Sequence, residues 1–255
     1  MSFLELYAWS FWENTRLRKT IAALLVSLVA PFFALLVRTL ADDTNRSNTY
    51  SLIIQLGGYS FCLVILAILF ASSIISSEVT AKTIPYLLTH PVPRAKLLLA
   101  KWLGATTLVT ISMMFSAFLT ALILYGGDFL NSQLQRDLIA IPIASITYCA
   151  VCSLLSVLLT RPVLPMVIYV FGLESWIWML SGDVQKLSIM AHVRAIAGHT
   201  PVGASDVTEV IALLNPTTIG ETTAWNTLIL VTIISLTLGC VIFSKCEYIP
   251  KEEPT

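Results

Sequence analysis

The stretch that decides the fold is EVTAKTIPYLLTHPVPRAKLLLAK, residues 78–101, which lies between two long apolar segments. It contains four cationic side chains, three prolines and a histidine, whereas the flanking segments 52–76 and 102–126 contain no charged residue. Proline interrupts a helix because it lacks the backbone N–H of the helical ladder. We therefore expect a polar connection with a short helix ahead of Pro91 and a second helix that starts at Arg94.

The composition around this stretch is that of a membrane protein. The 255 residues are 56% hydrophobic and 12% charged, whereas soluble domains carry about 25% charged residues. A membrane-spanning helix needs about 20 mainly apolar residues. Six segments satisfy this length and are predicted to span: 20–40, 52–76, 102–126, 139–160, 163–181 and 226–244. The fold class is therefore an all-α membrane protein, with residues 1–255 forming one transmembrane domain.

The distribution of cations predicts the orientation of the six spans. Spans four and five are separated only by Arg161 and Pro162, so they should form a tight hairpin. One set of connections, with both termini, holds ten Lys and Arg residues, and the opposite set holds five. Cytoplasmic loops are the cation-rich ones. Both termini and the 77–101 loop are therefore predicted to be cytoplasmic.

Two segments outside the spans have unusual compositions. Residues 1–19 interleave five aromatic residues with charged ones, which favours the headgroup region and predicts an interfacial helix. A simple aromatic belt is the alternative. The outer loop 182–225 is partly apolar, notably at Leu187–Ala197 and Val207–Leu214, which predicts short re-entrant or interfacial helices.

The order of residues in the opening stretch resembles the loop after span two in the ABC-2 family of ATP-binding-cassette transporter permeases. The matching positions are Glu78, Thr83, Leu87-Leu88-Thr89, Pro91-Val92, Arg94 and Lys101. Lys82 and Pro93 depart from the family pattern, which has Gly and Ser there. The six-span layout, the N-terminal interfacial segment and Asn215-Pro216 in the outer loop are also similar to that family. The fold implied is a type V exporter-like transmembrane domain.

The resemblance implies that residues 77–101 form a coupling loop that seats in a nucleotide-binding subunit. The residues assigned to this contact are Glu78, Thr83, Leu87, Leu88, Pro91, Arg94 and Lys101. The chain contains no G-x-x-x-x-G-K-[ST] phosphate loop. ATP and Mg²⁺ are therefore expected on a separate ATPase subunit, and this chain is expected to carry no cofactor. A second permease, identical or paralogous, and membrane lipid are the other implied partners, and no nucleic acid is expected.

The family's translocation path runs between two permeases and is lined partly by spans two and five. The candidate path residues here are Gln55, Tyr59, Ser60, Tyr169, Glu174 and Trp176. Glu174 is the acidic side chain that lies well inside a predicted span, where a carboxylate is costly and marks a functional candidate. We expect export of a hydrophobic or amphipathic substrate (a lipid, drug or peptide) from a bacterial or archaeal inner membrane.

Three other functions were weighed on the residues. An intramembrane hydrolase is disfavoured because His90, His192 and His199 lie outside the predicted spans and no G-x-S-x-G elbow is present; no catalytic residue is assigned. An ATP-independent secondary transporter is the second alternative. Such proteins tend to show internal repeats or several ionisable residues near the middle of the membrane. A third alternative stays open, namely a subunit that transmits ATPase work to an extracytoplasmic partner without moving a solute.

The Cys149–Cys152 pair has no second pair to complete a zinc site, so no metal site is assigned.

Overall fold

The computed structural model of the chain describes residues 3–40, 46–72, 74, 93–126, 131–159, 162–174, 177, 186–199 and 219–245. Within these residues the regular secondary structure is helical, with two segments in π-helical geometry, here named π1 and π2. In chain order the elements are α1 (Phe3–Asn14), α2 (Leu17–Ser27), α3 (Val29–Leu40), α4 (Arg46–Ile53), π1 (Ile54–Leu63), α5 (Val64–Ala71), α6 (Arg94–Tyr125), α7 (Ser132–Leu158), α8 (Val163–Val167), π2 (Ile168–Glu174), α9 (Ile189–Ala197) and α10 (Glu221–Lys245).

Five helical stretches of the described chain are long and apolar enough to cross a membrane. They are Leu17–Leu40, Asn48–Ala71, Arg94–Tyr125, Ser132–Leu158 and Glu221–Lys245. These stretches confirm five of the six predicted spans as helices of membrane-spanning length. The predicted fifth span, 163–181, begins with the shorter apolar helix Val163–Gly172, and most of its second half lies outside the described residues. The span predicted at 163–181 and the cytoplasmic position of the termini stay predictions.

Several spanning helices begin earlier than their apolar segments. The helices start at Arg94, Ser132 and Glu221, five to eight residues ahead of the boundaries that hydropathy indicates. The start of α7 shows the reason, because the Asn131 side chain accepts a hydrogen bond from the backbone N–H of Gln133 at 3.0 Å. Such a cap satisfies one of the unpaired donors of a helix start. Polar first turns therefore extend these helices beyond their apolar cores.

The N-terminal segment forms the predicted helix, and α1 packs on the first half of α6. Gly104 allows the close approach, since a Cβ at that position would lie 2.6 Å from the Ser10 side-chain oxygen. Tyr7 also donates a hydrogen bond to the hydroxyl of Thr107 at 3.4 Å. Small residues of this kind let two helix backbones approach closely. The helix is confirmed, and its location at the membrane interface stays a prediction.

The interior of the bundle is built around α7, which contacts α5, α6, α9 and α10. The large side chains that are fully buried include Tyr50, Tyr59 and Tyr148. Many apolar side chains of the spanning helices face outward instead, for example Phe32 at 62% and Leu230 at 58% exposure. An apolar outer surface of this kind suits hydrocarbon, where no hydrophobic penalty attaches to its exposure.

The described part of the outer loop confirms one of its two predicted short helices. Helix α9 follows an N-cap by Ser188, whose side chain accepts from the backbone N–H of Ala191 at 3.3 Å. It ends at Gly198, which has a φ of 68°, a left-handed conformation that glycine adopts without strain. The side chain of Arg136 occupies the space that a Cβ of Gly198 would need. The other predicted helix, Val207–Leu214, lies outside the described residues.

Candidate functional site

A pocket of about 270 Å³ lies where π1, π2, α7 and α9 meet. Of the ten described residues that line it, six are apolar and four have polar side chains. The lining residues are Leu56, Ser60, Phe61, Val64, Tyr148, Val170, Phe171, Glu174, Met190 and Arg194. π-Helical geometry is rare and appears frequently at functional sites. Here both π segments contribute to one pocket, and they carry the predicted path residues Ser60 and Glu174.

Glu174 is held in the pocket wall through one of its two carboxylate oxygens. Its Oε1 accepts hydrogen bonds from the Tyr148 hydroxyl at 2.7 Å and from the backbone N–H of Met190 at 2.8 Å. The Ser188 hydroxyl is a third donor at 3.5 Å. Met190 lies in the first turn of α9, where the unpaired N–H groups and the helix dipole favour an acidic group. These hydrogen bonds fix the carboxylate in place and offset the cost of its nearly complete burial.

Arg194 brings the opposite charge to the same pocket from the next turns of α9. Its Nη2 donates to the Ser60 hydroxyl at 3.4 Å, which connects α9 to π1. Burial lowers the pKa of the Arg194 guanidinium below its usual value, while Tyr148 and Glu174 act in the opposite direction. A guanidinium stays protonated in proteins even so. The pocket therefore combines one acidic and one basic side chain within apolar walls.

A second polar cluster lies beyond the other end of α9 and is centred on Asp137. Its Oδ1 accepts from the Tyr59 hydroxyl at 2.8 Å and from His199 Nε2 at 2.7 Å. The side chains of Asp137 and His199 have 0% exposure. We name Tyr59, Asp137 and His199 the clasp, because they join π1, α7 and the residue that follows α9.

The other ring nitrogen of the clasp histidine also has partners. His199 Nδ1 lies 2.8 Å from the Ser51 hydroxyl and 3.1 Å from Gln133 Nε2. Gln133 Nε2 donates in addition to the backbone oxygen of Ala197 at 3.0 Å. Since the Gln133 amide is a donor, these contacts assign the hydrogen to Nε2 of His199 and leave Nδ1 as an acceptor. The C-terminal end of α9 is thereby attached to two membrane-spanning helices.

The comparison with protein families agrees with this architecture. The model of a family described as ABC-2 family transporter protein matches residues 11–175, which is most of the chain. The chain belongs to the ABC-2 transporter family. The match includes residues 77–101 and both π segments, whereas Asn215-Pro216 and the last predicted span lie beyond it. No curated relative matches the chain.

Most of the predicted coupling residues of this ABC-2 protein lie outside the described residues, namely Glu78, Thr83, Leu87, Leu88 and Pro91. Arg94 is described, and it is the first residue of α6 directly after Pro93. Lys101, which the resemblance assigned to the ATPase contact, is 4% exposed. Its Nζ lies 3.5 Å from Glu13 Oε2 and 5.1 Å from the centre of the Trp9 ring. In the structure Lys101 thus connects α6 to α1.

The remaining candidate path residues of the ABC-2 protein are placed as follows. Gln55 is buried in π1, and its Nε2 donates to the Ser51 hydroxyl at 3.0 Å. Tyr59 belongs to the clasp, and Tyr169 is partly buried in π2 against the core. Trp176 lies outside the described residues. The structure thus brings Ser60 and Glu174 together in the pocket and places Gln55 and Tyr59 in the neighbouring clasp region.

Four residues of these clusters were missed by reasoning from the sequence: Tyr148, Asp137, Arg194 and His199. Asp137 lies ahead of the apolar segment 139–160, and His199 lies in the outer loop, so both were treated as residues outside the membrane. That Asp137 and His199 lie in contact is visible only in three dimensions, because α9 packs back against α7. Gln133 and Asp137 are four residues apart on one helix face, which is the sole local signal for this cluster.

Metal binding receives no support from the described residues. No group of three or more His, Cys, Asp or Glu side chains in the described part of the chain could hold a metal ion. Cys62, Cys149 and Cys152 are buried as free thiols, as expected of small apolar residues that pack.

Proposed function

We propose that the chain is the permease subunit of an ATP-binding-cassette exporter whose ATPase is a separate polypeptide. The observation that carries the proposal is the ABC-2 family match over residues 11–175, which includes the loop 77–101. Two permease chains, identical or paralogous, would work with two ATPase subunits that hold ATP and Mg²⁺. Both termini would face the cytoplasm of a bacterial or archaeal cell, with the domain in the inner membrane.

The coupling loop would pass movement of the ATPase to the membrane through α6. This helix begins at Arg94 and continues without interruption to Tyr125. A displacement at its cytoplasmic end would therefore move the whole span. The Lys101–Glu13 ion pair would move α1 with it. Leu87 and Leu88 are proposed as the apolar anchors in the ATPase groove, while Glu78, Thr83, Pro91 and Arg94 would set the angle of the loop.

The exported substrate is proposed to be hydrophobic or amphipathic. The pocket combines apolar walls with the Glu174 and Arg194 charges, which is the pattern of a site that encloses an apolar body and orients a polar group. Gln55, Tyr59, Tyr169 and Trp176 would line or support the adjoining path. ATP would drive the cycle because its binding favours one arrangement of the ATPase pair over the other.

The first experiment tests the contact with the ATPase. The chain is solubilised from its native membrane and pulled down, and co-purified proteins are identified by mass spectrometry. The wild type should retain an ATP-binding subunit, and the double variant Leu87→Asp, Leu88→Asp should lose it, because buried unpaired charges are costly. On the predicted helix, Tyr86 and Thr89 fall on the side opposite Leu87 and Leu88. The matched control is therefore Tyr86→Asp, Thr89→Asp, which should retain the subunit.

Two outcomes would contradict the proposal. A wild-type chain that is isolated intact without any ATP-binding subunit would remove the basis for ATP-driven export. Equal retention in both double variants would leave the ATPase in place and show that Leu87 and Leu88 are not its anchors.

A further inference from the structure

One carboxylate oxygen of Glu174 in the pocket wall lacks a hydrogen-bond partner among the described residues. Three donors converge on Oε1, whereas Oε2 accepts no hydrogen bond from the residues that the structure describes. Glu174 is 5% exposed, so water cannot reach this oxygen freely. A buried polar atom without a partner is unfavourable. A ligand that donates an N–H or O–H to Oε2 would remove this penalty and form a charge-assisted hydrogen bond.

The charges of the pocket restrict the net charge of such a ligand. Glu174 and Arg194 are the charged side chains among the ten described residues that line the pocket, one acidic and one basic. A singly charged amphiphile could pair with one of these two side chains and would meet a like charge at the other, which is unfavourable. A ligand that carries both charges would place an opposite charge beside each of the two side chains. The pocket therefore favours a zwitterion over a singly charged amphiphile.

The size and the rim of the pocket restrict the shape of the ligand. Its volume of about 270 Å³ is below the range of about 300–1,000 Å³ for sites that enclose drug-sized molecules. Phe61 and Phe171 meet at the pocket with ring centres 6.5 Å apart. They are 41% and 38% exposed on predicted membrane-spanning segments. A polar headgroup thus fits inside the pocket, and a hydrocarbon chain would extend past these two rings into the lipid.

We infer that the pocket binds the headgroup of a zwitterionic lipid that bears a protonated primary amine. The ammonium donates to Glu174 Oε2, and the anionic group of the lipid accepts from the Arg194 guanidinium. A quaternary ammonium has no N–H and cannot donate to Oε2, so the site discriminates between these two headgroups. The inference names the substrate class of the proposed exporter and rests on that proposal, although binding to the chain alone can be measured separately.

The test is a binding measurement on the full-length chain in detergent, without ATPase or nucleotide. A short-chain phosphoethanolamine lipid, labelled on its tail, is followed by fluorescence anisotropy. Unlabelled competitors of equal chain length are a phosphoethanolamine, a phosphocholine, an alkyl phosphate and an alkylamine. The wild type should prefer the phosphoethanolamine. Glu174→Gln should weaken its binding about 10- to 100-fold, the loss expected for one hydrogen bond to a charged group.

Removing one of the two charges should change which competitor binds most tightly. If these residues had only a structural role, the order of affinities would stay the same. Glu174→Gln leaves Arg194 and should favour the alkyl phosphate, whereas Arg194→Gln leaves Glu174 and should favour the alkylamine. The matched controls are Glu221→Gln and Arg18→Gln, which change exposed residues of the same types and should keep the wild-type order.

The competition series on the wild type tests the inferred headgroup preference even where a variant fails to fold. Equal affinity for the phosphoethanolamine and the phosphocholine would overturn the inference, and so would tightest binding of a singly charged amphiphile. An ATPase in the pull-down without this lipid preference would overturn the substrate class alone. The lipid preference without an ATPase would keep the site and contradict the proposed export.

Discussion

Removal of the Asp137 carboxylate should destabilise the protein strongly, although Asp137 lies outside the apolar segments of the sequence. In the clasp it accepts from Tyr59 at 2.8 Å and from His199 at 2.7 Å. Asp137→Ala would leave both donors without this acceptor. The Tyr59 and His199 side chains have 0% exposure, so water cannot replace the lost oxygen without opening the structure.

The expected magnitude follows from these two donors. Each buried donor that loses its acceptor costs about 1–3 kcal/mol, so Asp137→Ala should lower the free energy of unfolding by about 2–6 kcal/mol. This is a large part of the about 5–15 kcal/mol that stabilises a typical domain. Asp137→Asn retains one acceptor oxygen but loses the charge, and bonds to a charged acceptor are roughly twice as strong as neutral ones. Its cost should be smaller than that of the alanine variant.

A double-mutant cycle with Tyr59→Phe gives the sharpest form of this prediction. Tyr59→Phe alone removes a stabilising bond, but in the Asp137→Ala background it removes an unsatisfied hydroxyl. The double variant should therefore be more stable than Asp137→Ala alone. Stability is measured by loss of helical circular dichroism as SDS is titrated into mild detergent. The control Glu221→Ala removes an exposed acid at the start of α10 and should change the free energy of unfolding by no more than about 1 kcal/mol.

Two results would refute the reasoning about the clasp. One is a cost of Asp137→Ala that does not exceed that of the Glu221→Ala control. The other is strict additivity of the two substitutions in the cycle, since residues that exchange a hydrogen bond should show an interaction energy.

Three further predictions concern helix ends and the contact between α1 and α6. Gly198→Ala should lower the free energy of unfolding by about 1 kcal/mol or more, as seen by the same SDS titration, because the φ of 68° strains any other residue. Gly104→Leu should separate α1 from α6, because a Cβ there already lies 2.6 Å from the Ser10 oxygen; amide hydrogen exchange over residues 3–14 should become faster. Lys101→Met should have the same effect on exchange by breaking the 3.5 Å pair with Glu13.

Each of these predictions has a clear contrary outcome. Gly172→Ala is a control for both glycine variants, since a Cβ there would meet its nearest neighbour at 3.7 Å, an ordinary contact. Equal stability of Gly198→Ala and this control would argue against strain at the end of α9. Unchanged exchange over residues 3–14 in both α1-contact variants would show that the contact does not hold the N-terminal helix.

Five of the six spans were predictable because hydropathy over about 20 residues is a strong signal for helices of this length. The family resemblance was also accessible, since it depends on the local order of residues around Pro91 and Arg94. The helix start at Arg94 was predicted from the prolines ahead of it and is confirmed, whereas the starts at Ser132 and Glu221 were not predicted, because polar first turns carry little hydropathy signal. Hydropathy also carries no information on π-helical geometry, in which the hydrogen bond closes one residue later than in an α-helix.

The partners of the charged residues were beyond prediction for a different reason. Glu174 was identified as a candidate because a lone carboxylate in an apolar segment is conspicuous. Its donors come from α7 and from α9, and α9 belongs to a loop expected on the outer surface. The sequence separation between Asp137 and His199 is 62 residues, and nothing local specifies that they meet. Contacts of this kind depend on how the outer loop packs, which a single sequence does not reveal.

The two polar clusters hold opposite ends of the same short helix, and this arrangement connects the pocket to the spans around it. Glu174 binds the start of α9 through the Met190 N–H, and the clasp binds its end through His199. A movement of π1 or α7 would therefore displace α9 and, with it, Arg194 in the pocket wall. Because π1 lies in the span that precedes residues 77–101, the proposed ATPase contact would be linked to the pocket through this span. Loss of the clasp should thus weaken ligand binding at Glu174, although no clasp residue lines the pocket.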